Sequence, residues 1–238
     1  DEVEKRKNIF FTSPKSLSLE KVSYDYVFFA NGANSNIQKR NNLLDINRFY
    51  DQSCLTFKVL IRGNVNKRAY EIFRKEGPLA LLPLESNLYQ IIWTDRTDKS
   101  IDRLNSCKSF LLDNLSTILP NNFKLYEILG NVNIFPVSLS LKFPSLNQKK
   151  FIFVGDSFHT FHPVGGQGLN ICWRDVNSIF NILSKGSQVN NISKSSLTHL
   201  KYKYYLVRLI DISITMVVTD SLIRIFANRN FILLPIRK

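Results

Sequence analysis

Residues 155–175 read GDSFHTFHPVGGQGLNICWRD, and the fold of the whole chain turns on how this stretch is read. An apolar run, FIFV from Phe151, stops at Gly155 and Asp156, passes two histidines and Pro163, threads three glycines and resumes as a helix-forming segment. Four readings compete: a phosphate cradle, a metal loop, a plain turn, or the seat of a larger cofactor. No GK[ST] follows the glycines, so this is not a nucleotide P-loop. A metal site would rest on His159 and His162, with His199 as the third imidazole in a distant linker, and no metal is expected. The FIFVG run is of the kind buried on both faces of a helix-covered sheet, and it would deliver Asp156 to the strand end where open α/β sheets bind ligands. A carboxylate there accepts hydrogen bonds from sugar or polyol hydroxyls. A helix expected from near Leu169 would point its unsatisfied N–H groups and positive dipole end into the same crevice. Gly165, Gly166 and Gly168 clear side chains from the approach, and Pro163 stiffens it. Leu169, Cys172, Trp173, Val176, Ile179, Phe180 and Leu183 recur at helical spacing and are expected to be core, with Gly186 at the C-cap.

Outward from this stretch, the pattern predicts a buried strand over Tyr26–Ala30, followed by a turn in which Asn31 and Gly32 suit positive φ. Leu55, Phe57, Val59 and Ile61 alternate with more polar neighbours, as in a half-buried strand. EGPLALLPLESNLYQIIWT reads as a hairpin around Glu85, Ser86 and Asn87. Residues from about Ser100 to Leu119 look helical, with Pro120 as the stop. Val137, Leu139 and Leu141 share one face of a further strand. A low-complexity linker, SKGSQVNNISKSS, precedes a final helix from about Leu200 to Asn228. The fold class expected is therefore α/β plus α+β.

The 238 residues carry 44% hydrophobic and 21% charged residues, enough for a real core, and a formal charge of +13. The excess of Lys and Arg is spread along the chain and suits an anionic partner or simply a solvated surface. Cys54, Cys107 and Cys172 lie far apart, which signals neither a disulfide framework nor a zinc site and implies a reducing, cytoplasmic setting. Charges at Arg208, Asp211, Asp220 and Arg224 interrupt the most apolar run, so no membrane span is expected. Leu200, Tyr204, Val207, Ile210, Ile214, Val217, Leu222 and Ile225 would share a broad helical face beside Lys201, Lys203, Arg208 and Arg224. Such a helix could pack on the domain or rest peripherally on anionic lipid.

The segment FIFVGDSFHTFHPVGGQGLNICWRDV resembles the second FAD fingerprint of the class A flavoprotein aromatic hydroxylases, in particular the ubiquinone-biosynthesis hydroxylases. VFFANGANSNIQK is similar to that family's middle DG segment, EGPLALLPLESNLYQIIWT to its substrate-domain hairpin, and DSLIRIFANRN to its C-terminal helix. The resemblance implies part of an FAD-binding domain of the glutathione-reductase-like type, with an antiparallel-sheet substrate domain and a C-terminal helix. Residues 1–45 and 149–190 would belong to the FAD-binding domain, 46–148 to the substrate domain, and 191–238 to the linker and last helix. Asp156 would meet the ribityl hydroxyls, and Pro163 the isoalloxazine face. Gly165, Gly166, Gly168, Leu169 and Asn170 would follow the pyrimidine edge, with Asn31 also at the cofactor. Leu81, Leu82, Pro83 and Trp93 would wall the substrate pocket. No catalytic side chain is singled out.

The reaction so implied is reduction of FAD by NAD(P)H, reaction with oxygen, and transfer of one oxygen atom to a phenolic, polyprenylated quinone precursor. Partners would be that small aromatic substrate, not nucleic acid, at a membrane surface or in a multi-enzyme quinone-biosynthesis complex. Two departures matter. Asn31-Gly32 stands where the family has Asp-Gly, with Gln38 where an arginine is common, and the nine glycines contain no GxGxxG. The second departure implies a chain without its N-terminal nucleotide-binding unit. A non-catalytic FAD-fold remnant or binding module, and a related flavin reductase acting on a polyprenyl chain, stand as the other readings.

Overall fold

In the computed structural model, which describes residues 24, 26–33, 44–62, 68–85, 87–143, 150–186 and 194–227, two long strands form the backbone of the larger sheet. These are β2 (Leu44–Arg62) and β6 (Lys124–Phe143), antiparallel, with irregular register at Phe49/Ser53, Thr56/Lys58 and Leu60/Ile61. Adding β3 (Tyr70–Ile72), β4 (Leu79–Glu85), β5 (Leu88–Arg96) and β8 (His159–Thr160) gives the order β3-β4-β5-β2-β6-β8. The alternation read from the sequence holds in β2, where Leu55, Phe57, Val59 and Ile61 are all buried. Across the strands, Leu55, Trp93 and Leu79 fall in one row and pack with Leu111 and Leu115. Each such side chain contributes about 1.5–3 kcal/mol by leaving water. At the entry to β4, Gly77 adopts φ +146° and a Cβ there would lie 2.7 Å from the Thr94 carbonyl oxygen, so only glycine fits.

The expected helix from Ser100 to Leu119 is two helices, α1 (Thr97–Asn105) and α2 (Lys108–Ser116). Ser106 ends the first: its hydroxyl donates to the Arg103 carbonyl at 2.7 Å, and Ser106 and Cys107 are extended. Serine competes with the helix for backbone partners, which the apolar periodicity does not register. Phe110, one of the apolar residues of the expected helix, is exposed.

The second layer is smaller. β1 (Val27–Phe29) pairs in parallel with β7 (Phe151–Phe153), Phe29 opposite Phe153, and is shorter than the Tyr26–Ala30 expected, with Phe28 exposed. Of the turn that follows, only Gly32 takes positive φ (+79°). Helices α3 (Gln167–Gly186) and α4 (Lys194–Ala227) pack on this pair, enclosing Ile152, Phe153, Phe158, Ile171, Tyr204, Tyr205 and Ile212. At Phe153, whose amide and carbonyl point away from β1, α4 supplies the partners. The Tyr205 hydroxyl accepts the N–H at 2.9 Å and the Tyr204 hydroxyl donates to the C=O at 3.1 Å. A parallel pair flanked by helices beside an antiparallel sheet is the α/β plus α+β mixture expected.

Two expectations about helix faces are corrected. Of the residues assigned to the core after the loop, Leu169, Trp173, Val176 and Phe180 are 49–68% exposed, while Ile171, Asp175 and Ile179 turn inward. The heptad-like spacing is present, but the face it marks has no cover among the described residues. In α4 the broad face divides. Tyr204 is buried with Tyr205, Arg208 and Ile212, whereas Leu206, Val207, Ile210, Ile214, Val217 and Val218 are exposed. The helix begins at Lys194, inside the expected linker, of which 187–193 lie outside the described residues, as do Gln38 and Ser86. No helix among the described residues is long and apolar enough to cross a membrane.

Candidate functional site

Strand β7 ends at Phe153, and after Val154 the chain turns sharply through a single 3-10 turn, Gly155–Ser157. Gly155 carries φ +62°, and a Cβ there would stand 3.1 Å from Cys172 Sγ. Ser157 closes the turn from within: its hydroxyl accepts the Val154 N–H at 3.1 Å and lies against the carbonyls of Val154 and Phe29. Asp156 is thereby turned outward and is exposed, its carboxylate touched by Cys172 Sγ at 4.0 Å. Because β1 and β7 are parallel, Asn31 leaves the pair at the same end as Gly155, and it too is exposed.

Below the turn, Asp175 is fully buried and accepts from the Gly155 N–H (2.8 Å), His159 Nε2 (2.8 Å) and Arg208 Nε (2.6 Å). Burial by itself would raise the Asp175 pKa, but these donors outweigh it and hold the carboxyl below its usual range. His159 Nδ1 has no partner among the described residues, and the contact of Nε2 with the Asp175 carboxylate assigns the proton to Nε2.

Pro163 leads into Val164–Gly166, where Gly165 and Gly166 take φ +73° and +57° before α3 begins at Gln167. A Cβ on Gly166 or Gly168 would meet nothing within 4 Å, so the backbone ahead of the helix lies open. Leu169 and Asn170 are exposed in the first turn of α3, where Asn170 donates to Gln167 Oε1 at 3.3 Å.

Three side chains of the antiparallel sheet reach this loop, and none was singled out from sequence. Glu71 Oε1 accepts the Gly165 N–H at 3.0 Å. Gln52 Oε1 lies 3.1 Å from His162 Nε2, and Tyr50 meets the His162 ring edge-on at 5.3 Å between centroids. His162 Nδ1 accepts the Val164 N–H at 3.1 Å, so Nε2 carries the proton and donates to Gln52. Burial drives the His162 pKa down to about 4, keeping the ring neutral. The two loop histidines thus serve different partners, and among the described residues no group of three His, Cys, Asp or Glu could hold a metal.

Asp156, Pro163, Gly165, Gly166, Gly168, Leu169, Asn170 and Asn31 therefore gather at the end of the parallel pair and the start of α3. The hairpin residues lie elsewhere. Leu81 and Trp93 are fully buried in the row that packs against α2, Pro83 is half-buried, and Leu82 points to the opposite, open face with Ala80 and Ile92. Asp175 closes the stretch quoted from the sequence, directly after Arg174, but its role rests on a partner 33 residues further on.

Comparison with known proteins places this geometry. A family model described as squalene epoxidase matches residues 102–238. Among curated relatives, a Synechocystis protein, slr1300, is 29% identical over 155 residues (65% of this chain, 37% of that protein). The 3-demethoxyubiquinol 3-hydroxylase of Escherichia coli is 27% identical over 157 residues, 66% of this chain and 40% of the enzyme. The chain thus spans about two fifths of the length of these relatives. In fold it is similar to p-nitrophenol 4-monooxygenase PnpA of Pseudomonas putida, with TM-score 0.64 at 14% identity over 89% of this chain and 53% of that one. It is also similar to OxyS anhydrotetracycline hydroxylase of Streptomyces rimosus, with TM-score 0.60 at 15% identity over 85% and 39%. The likeness in fold extends over most of the chain, and with the family model matching residues 102–238, more than half its length, this chain belongs to the squalene epoxidase family.

Proposed function

We propose that this chain forms the flavin-facing and substrate-facing part of an FAD-dependent monooxygenase that hydroxylates a phenolic quinone precursor with NAD(P)H and oxygen. One observation carries the reading. An outward Asp156 at the end of a parallel strand stands beside a backbone that is open at Gly166 and Gly168 and runs into the N-terminus of a 20-residue helix.

The donor set fits FAD. Asp156 has its carboxylate turned outward for ribityl hydroxyls, and the space over Gly166 and Gly168 admits a flat ring. The amide groups at the start of α3 favour an electron-rich edge, from Gly165 to Asn170. Bound there, FAD supplies the redox and oxygen chemistry, while the protein positions and excludes water. Pro163 would fix one side of the ring. Glu71, Gln52 and Tyr50 tie the loop to the sheet, so a substrate held on the sheet is held in register with the cofactor. The open sheet face around Ala80, Leu82 and Ile92, rather than the buried Leu81 and Trp93, is the surface available to an aromatic substrate. Asn31, exposed at the same sheet end, would offer its amide oxygen to the cofactor.

On this reading residues 1–45 and 149–190 belong to the FAD-binding domain, 46–148 to the substrate domain and 191–238 to the C-terminal helix segment. The ADP half of FAD would be held by the nucleotide-binding unit that the resemblance implies. The exposed face of α3, Leu169, Trp173, Val176 and Phe180, is the surface on which that unit packs. The exposed residues of α4 fall within about 160° of its circumference, with Lys203 and Arg224 toward its ends, and suit contact with anionic lipid where a quinone precursor resides.

The native gene product is expected to copurify with flavin and to couple NAD(P)H oxidation to a hydroxylated ring. Replacing the charge-assisted hydrogen bonds of Asp156, as in Asp156→Ala, is expected to weaken FAD binding about 10- to 100-fold in a fluorescence titration. A product with neither flavin absorbance nor NAD(P)H oxidation would establish the non-catalytic reading. Flavin turnover without oxygen incorporation would establish the reductase.

A further inference from the structure

The donors that reach Asp175 come from three separate parts of the chain: the turn at Gly155, β8 at His159 and the middle of α4 at Arg208. Arg208 is itself anchored. Its Nη2 donates to the Ile171 carbonyl at 3.3 Å, and its Nη1 to Asp211, which also pairs with Arg174 at 2.9 Å. The α3 backbone and Asp211 therefore fix the guanidinium, and the guanidinium fixes one carboxylate oxygen of Asp175. The other oxygen holds the Gly155 amide. That amide belongs to the left-handed residue just before Asp156, so its peptide plane sets the direction in which Asp156 leaves the strand.

We propose that Arg208 of the C-terminal helix, acting through Asp175, is a positioning residue that holds the Gly155–Asp156 turn in its ligand-ready form. The inference rests on the reading of this turn as a cofactor seat. Charge neutralisation alone would be served as well by lysine, but three nitrogens of Arg208 are in use, toward Asp175, Asp211 and Ile171, in a fork that an ammonium cannot reproduce. His159 shares the Gly155-bound oxygen and offers no second anchor, its other nitrogen having no partner among the described residues. A prearranged turn spares the ligand the cost of ordering it, so loss of the arrangement appears as weaker affinity.

The test uses the native full-length product with Arg208→Met, Arg208→Lys and, as a control of stability alone, Leu115→Ala in the core of the antiparallel sheet. Hydrogen–deuterium exchange of the 152–158 segment is measured without cofactor, and FAD affinity by fluorescence titration. Arg208→Met is expected to speed exchange of the turn and raise the FAD Kd by about 10-fold or more. Arg208→Lys is expected to regain part of the thermal midpoint while both readouts stay raised. Leu115→Ala should lower the midpoint and leave both close to wild type. If the Arg208 variants and Leu115→Ala, matched in midpoint, show the same exchange and affinity, the proposal is overturned. If Arg208→Met does not fold, the lysine variant decides by the same criteria. A wild-type protein that binds no FAD sinks the monooxygenase reading, while the exchange measurement still decides whether Arg208 orders the turn.

Discussion

In the antiparallel sheet Leu55, Phe57, Val59 and Ile61 are sealed against the helices, whereas on α3, beside the parallel pair, Leu169, Trp173, Val176 and Phe180 stand open. The first region closes its core with residues 55–128 of the chain. The second closes one side of α3 and leaves the other apolar. An amphipathic stripe at helical spacing reports that a face wants cover, and does not report where the cover comes from. The same contrast appears in polar contacts. Asp95 in the sheet half is held by Arg74 and Arg103 from the neighbouring β3–β4 connection and α1, and Asp175 in the other half by donors from three distant parts.

The contrast can be broken most directly at its two tryptophans. Trp93→Ala, in the closed core, is expected to cost about 3–5 kcal/mol in denaturant unfolding. An effect below 1 kcal/mol would mean that the sheet half is not the self-sufficient one. Next in size is a pH effect confined to the join between the halves. His162 has its folded pKa lowered to about 4 from 6.5, so the unfolded chain takes up the proton first. The contribution of the neutral ring is therefore complete above pH 6.5 and lost as pH falls toward 4, up to roughly 3 kcal/mol. His162→Gln should flatten the stability profile between those values, and an unchanged slope would remove His162 as its source. Smallest is Trp173→Ala, expected to change the stability of this 238-residue chain by no more than about 0.5 kcal/mol. In a longer native polypeptide that covers α3, the same substitution should cost about 3–5 kcal/mol, and equal small effects in both would show the face to be solvent-exposed by design.

These effects mark how much the sequence disclosed. Period-two alternation placed the second half of β2, and apolar runs on either side of Glu85–Asn87 placed the β4–β5 hairpin, because burial there is local and repeats along the strand. The loop of residues 155–170 was legible for a different reason, since glycine, proline and aspartate at fixed offsets report backbone shape and polarity directly. The break at Ser106–Cys107 was not, because a hydroxyl bonding back to Arg103 leaves the apolar pattern intact. Nor were Glu71, Gln52 and Tyr50 as loop partners, because their role depends on which strand lies beside the loop in space. Leu81 and Trp93 show the same limit. A hairpin pattern identifies two faces, and only the position of α2 shows which one is filled.

The two tyrosines of α4 that occupy the Phe153 backbone have a consequence for assembly. An unpaired parallel strand is a template for any extended segment that drifts by, including another molecule of the same protein. With both Phe153 groups engaged by phenol hydroxyls, that side of the sheet cannot accept a guest strand at its centre. Self-association through the outer edge of β7 is thereby blocked at its source.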